Sequence, residues 1–121
     1  MFWYPKHALI ILIHEDMIKR FGGRLGFERG IEVYDVVVKE VKGTHGSLYR
    51  KAAVFLKSMV NARIFADGNH RTAYVVTDVF LDENGAEIRT SNQQEIIRFI
   101  KDIKTYSIKE IEVWLRDGKV S

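Results

Sequence analysis

From Ala73 to Leu81 the chain is apolar on nearly every side of a helix, interrupted only by Thr77 and Asp78. A helix of that kind is driven into the interior of a fold, so the rest of the chain must supply elements that cover it. Ala66-Asp67-Gly68 precedes it as a turn, which sets its start near Asn69, and Asn84-Gly85 offers residues that tolerate the left-handed conformation at its end, after about Glu83.

The covering elements also read as helices. Ile10, Ile13, Met17 and Phe21 recur at three- and four-residue spacing, giving a helix over about 7–21 that Gly22-Gly23 closes. Ile31, Tyr34, Val37, Val38 and Val41 repeat with the same period, although the β-branched run Val36-Val37-Val38 also suits a strand; helix is preferred. Leu48, Ala52, Phe55, Leu56 and Met59 mark the next. Ser91 with Gln94 three residues on has the form of a capping box ahead of Ile96, Phe99, Ile100 and Ile103. A last helix over about 107–116 presents Ile108, Ile111, Trp114 and Leu115. The expectation is an all-α single domain spanning 1–121, with about six helices around the one that starts near Asn69 and little or no sheet.

Composition narrows the class further. With 121 residues there is room for one core, and 46% hydrophobic residues suffice to build it. The absence of cysteine removes disulfides, zinc–thiolate centres and cysteine nucleophiles, and fits a reducing, cytoplasmic setting. The 19 basic and 16 acidic residues are interspersed, as in Lys39-Glu40 and Lys109-Glu110, so no nucleic-acid-binding patch is expected. The apolar run Ala8–Ile13 is far shorter than the ~20 residues of a membrane span, and no cleavage-site pattern follows it.

The stretch Arg63-Ile64-Phe65-Ala66-Asp67-Gly68-Asn69-His70-Arg71-Thr72-Ala73 carries the chemistry. A helix start leaves backbone N–H groups without partners and a partial positive charge. Gly68 permits a sharp turn and close approach of a ligand. Arg71, one turn in, brings a planar fork suited to phosphate oxygens, and Asp67 a carboxylate of the kind that shares a magnesium ion with phosphates. These residues describe an anion-binding nest; they equally describe an ordinary N-cap followed by a surface arginine.

The stretch resembles the signature of the Fic/Doc family, His-x-Phe-x-(Asp/Glu)-(Gly/Ala)-Asn-(Gly/Lys)-Arg, on which Phe65, Asp67, Gly68, Asn69 and Arg71 fall. Thr72-Ala73 continues it as in the Doc (death-on-curing) branch. The helix leading into Gly22-Gly23-Arg24-Leu25-Gly26 and the close of the central helix at Gly85 are also similar to Doc proteins. The resemblance implies an all-α fold and a site in which Asp67 holds Mg2+ while Phe65, Gly68, Asn69, His70 and Arg71 surround the phosphates of ATP. It further implies transfer of phosphate or AMP to a protein hydroxyl, a target in translation, and a largely disordered antitoxin peptide as partner. Tyr74 stands where AMP-transferring members carry a second arginine, which favours phosphate transfer. The 22–30 segment is then expected to be a mobile flap at the site.

One departure bears on catalysis. Arg63 occupies the position of the family's catalytic histidine, and a guanidinium stays protonated, so it cannot take the hydroxyl proton. Activity is therefore expected to be weakened or lost, with Arg63 available to offset phosphate charge and His70 as a substitute base. Without catalysis, the fold would serve as a helical interaction module. His7 and His14 lie seven apart on one helical face with no third metal ligand spaced to join them, and read as packing histidines. Ser91 and Glu95 have the spacing of the family's inhibitory motif, but Ile96 follows where Gly or Asn is wanted, and capping accounts for Ser91.

Overall fold

The computed structural model describes residues 1–119, which form six α-helices and one short 3-10 turn. The helices are α1 (His7–Phe21), α2 (Val33–Lys42), α3 (Leu48–Ala62), α4 (Asn69–Glu83), α5 (Gln93–Lys101) and α6 (Ile108–Asp117), with the 3-10 turn at Ile103–Thr105. The single bridge between Phe27 and Phe65 is the only β pairing among the described residues. Among the described residues, no helix is long and apolar enough to cross a membrane.

Helices α3 and α4 form the centre. α3 packs on α2, α4 and α6, while α4 also packs on α1 and α5. On α4 the buried residues come in pairs one turn apart, Thr72-Ala73, Val76-Thr77 and Phe80-Leu81, and Tyr74, Val75 and Val79 are half-buried. The valine run of α2 is helical because tertiary burial decides its period: Tyr34, Val37 and Val41 face the core and Val36 faces water. Residues 31–32 contribute a tight turn ahead of α2 instead of its first residues.

End signals act as their chemistry dictates. Ser47 caps α3 by accepting from the Arg50 N–H, and Ser107 with Glu110 forms a reciprocal capping box on α6. The box expected at Ser91 and Gln94 is not the one formed. Asn92 caps α5 by accepting from the Glu95 N–H at 3.1 Å, one residue later, asparagine being as good a cap as serine. At the other end of the chain, Asn84 clasps the extended N-terminal arm, accepting from the Trp3 N–H at 2.8 Å and donating to the Trp3 carbonyl at 2.9 Å. That clasp seats Tyr4 against Phe55 and Phe80.

Candidate functional site

The turn from Arg63 to Gly68 links α3 to α4 and is braced from three sides. α1 supplies the first brace through His14, Ile18 and Phe21, which recur along one face of the helix. His14 is buried, its ring stacks on Phe65 at 3.7 Å, and its Nε2–H donates to the Asp67 carbonyl at 2.8 Å. A carbonyl only accepts, so the proton sits on Nε2. Ile18 lies so close to Gly68 that a Cβ there would stand 3.1 Å from Cδ1, and Gly68 adopts φ 76. The positive φ favours glycine, and any Cβ here would also press on the end of Ile18.

The second brace is the 24–30 segment. Glu28 and Gly30 donate to the Ile64 carbonyl, Arg29 to that of Arg63, and Ala66 donates back to Gly26. Phe27 stacks on the open side of Phe65 at 5.5 Å. The expected mobile flap is thus a backbone-paired segment from Gly26 to Gly30. The third brace is Asn69, whose amide accepts from the Phe65 N–H at 3.1 Å and donates to the Phe65 carbonyl at 2.8 Å.

These braces leave the start of α4 open. Gly68 is its N-cap and provides no side chain, the first turn holds no acid, and Thr72 N–H bonds the Gly68 carbonyl. The amides of Asn69, His70 and Arg71 have no acceptor among the described residues. Arg71 lies with its guanidinium 4.4 Å over the Phe21 ring. Next to it a groove of about 840 Å³ opens between α1, α4 and α5, lined by Met17, Phe21, Arg71, Tyr74, Ile97 and Ile100 among others.

Asp67 uses one oxygen, Oδ2, to accept from the Arg24 N–H at 2.8 Å and from Arg24 Nε at 3.3 Å. That amide hydrogen bond, and then the guanidinium, hold its carboxyl below the ordinary carboxylate range. Its other oxygen has no hydrogen bond to the described residues. No group of three His, Asp or Glu side chains converges here or elsewhere among the described residues.

The remaining expected residues fall in different places. Arg63 caps α3 in the left-handed conformation, φ 50 and ψ 50, and pairs with Glu28 through two contacts, at 2.7 and 3.1 Å. Its guanidinium is directed to the 24–30 segment. Phe65 is 2% exposed and sandwiched between rings, so it supports the turn from beneath and has no face for a ligand. His70 is exposed on the first turn of α4, and the protein around it, with the Lys104 charge, lowers its pKa below the ordinary imidazole value. Tyr74 lines the groove, with burial pushing its hydroxyl up to about 12.

The model of the Fic/DOC family matches residues 4–81, well over half of the chain. The chain belongs to the Fic/Doc family. The matched Fic/Doc segment takes in α1 to α3 and α4 as far as Leu81, with every brace named above, and α5 and α6 follow it. Comparison with curated proteins gives no match. His7 and His14 do not share a ligand: His7 donates to Asp35 at 2.7 Å and His14 to Asp67. His14 and Phe21 are the site residues that sequence reasoning read only as packing; their helical spacing from Ile18 was the available signal.

Proposed function

We propose that this Fic/Doc chain binds a magnesium nucleotide at the start of α4, in the manner of the Doc branch, and transfers its phosphate slowly or not at all. The observation that carries the reading is the row of three amides at Asn69, His70 and Arg71, unpartnered among the described residues, on the same turn as an arginine that no described carboxylate pairs. Such a helix start favours phosphate oxygens by direct hydrogen bonding and by its partial charge. The free oxygen of Asp67 would hold Mg2+, which when bound neutralises charge on the transferring phosphoryl group. Asn69, its side chain already spent on Phe65, would contribute mainly through its backbone N–H. Loss of a general base typically slows such transfer by about 10²–10⁴, and Arg63, paired to Glu28, supplies none. His70, with its lowered pKa, is the base on the same turn.

The test is titration with ATP, with and without magnesium, followed by thermal melting. At a ligand concentration 100 times the dissociation constant the gain would be about 2.7 kcal/mol. Asp67→Ala and Arg71→Ala should each abolish it while remaining folded. An unchanged response in both variants would place the nucleotide elsewhere. A second reading, a catalysis-free module that binds an antitoxin-like peptide, is favoured by the apolar groove with Phe21 and Ile97 exposed at its edge. It gains if the protein ignores ATP yet binds such a peptide.

A further inference from the structure

Arginines near the turn are mostly occupied by carboxylates. Arg20 donates to Asp16 at 2.9 Å, Arg24 to Asp67, and Arg63 to Glu28. Arg71 makes no ion pair or side-chain hydrogen bond among the described residues, and its planar group lies instead over the ring of Phe21 at 4.4 Å. Phe21 is the last residue of α1 and is 57% exposed, so its ring face is available to the Arg71 guanidinium.

We infer that Phe21 is a positioning residue for Arg71, holding the guanidinium beside the groove that the first turn of α4 lines while leaving its N–H donors for a phosphate. The inference rests on the anion-site reading above. A carboxylate partner would order Arg71 equally well but would consume its donors and place a negative charge against the incoming anion. An aromatic face attracts the cation through its quadrupole, orients the plane by stacking, and adds no net charge. The arrangement reduces the rotamer freedom that Arg71 must give up on binding, which is the usual gain from preorganisation. It also joins the two halves of the site mechanically. α1 fixes the turn through His14 and Ile18, and through Phe21 it fixes the side chain one turn further along α4.

Two probes test this, inorganic tripolyphosphate and Mg-ATP, titrated calorimetrically against the full chain and its Phe21→Leu and Phe21→Trp variants. Leucine keeps apolar bulk without the aromatic face, and tryptophan restores that face. Phe21→Leu should bind both probes about fivefold more weakly, with an unchanged melting temperature, and Phe21→Trp should return to the parent affinity. The Arg71 side-chain protons should show ring-current shifts in the parent and lose them in Phe21→Leu. If Phe21→Leu binds tripolyphosphate as the parent does, Phe21 does not position Arg71 and the inference fails. A loss confined to ATP also overturns it, because tripolyphosphate has no base and Phe21 would then be touching the nucleoside. If the parent binds neither probe, the anion-site reading itself falls, and this inference with it.

Discussion

The imidazole of His14 lies flat on the ring of Phe65, 4° from parallel with centroids 3.7 Å apart, while its Nε2–H holds the carbonyl of Asp67. One buried side chain on α1 thereby sets both the ring and the backbone of the turn that opens α4. Two substitutions separate these contributions. His14→Phe keeps a stacking ring but leaves the Asp67 carbonyl without its donor, which should cost about 1–3 kcal/mol in denaturant unfolding. His14→Ala also removes the stack, worth roughly 0.5–1.5 kcal/mol more, and opens a cavity. Equal stability of His14→Phe and the parent would show that the hydrogen bond does not hold the turn.

Arg63→His restores an imidazole two residues before Phe65 and releases Glu28. Phosphoryl transfer from ATP to a protein hydroxyl should appear or rise steeply, within the roughly 10²–10⁴ that a general base contributes. Radiolabel transfer in a bacterial extract is the measurement, with growth arrest on expression as a second readout. If the parent already labels a target as fast, His70→Ala should abolish that labelling, and a relocated base becomes the account.

Protonation gives the site two signatures of the same sign, both lost as pH falls but in different ranges. Asp67 has a lowered pKa from the Arg24 amide and guanidinium, so its contribution to stability is complete above the ordinary carboxylate value and disappears as pH falls through the folded one. The Arg24 amide resonance should titrate at that same low pH, and Asp67→Asn should remove the titration. His70, exposed at its edge, has a lowered pKa from partial desolvation and then from Lys104, so folding favours its neutral form. Stability linked to it is complete above the ordinary imidazole pKa and declines as pH falls toward the folded value. A directly measured His70 pKa at or above the ordinary value would show that the surroundings of α4 do not disfavour its charged form.

Thr72 is fully buried in the first turn of α4, and its hydroxyl has no partner among the described residues. An orphaned hydroxyl is costly, whereas an apolar group of the same shape is not. Thr72→Val should therefore raise stability by about 1 kcal/mol in denaturant unfolding. A loss of that size would mean that the hydroxyl is satisfied in solution.

Helix bounds were legible where a single residue decided them. Gly22 ends α1 and Gly68 begins α4 at the positions their backbone freedom predicts, so both helices match their sequence-based limits. α5 was less legible because Ser91 and Asn92 are competing caps, and the choice between them depends on where the helix docks. The 22–30 segment read as a flap because its partners lie far along the chain: Phe27 bridges to Phe65, a contact that glycine content and local pattern do not encode. For the site, the sequence showed which residues gather at the turn but not how each is spent. Asn69 and Phe65 carry the signature of ligand contacts, yet the amide of one and the ring of the other are committed to holding the turn.

The clasp between Asn84 and Trp3 sets a practical limit on how this domain can be produced. Residues 4–81 are what the family pattern recognises, and a fragment cut to those limits would delete both partners of the clasp. Tyr4 would then be the terminal residue, freed from the seat against Phe55 and Phe80 that its neighbour fixes. Expression designs should therefore keep the first three residues and continue past Asn84, and an affinity tag placed ahead of Met1 should be joined by a flexible spacer so that Trp3 can still reach the end of α4.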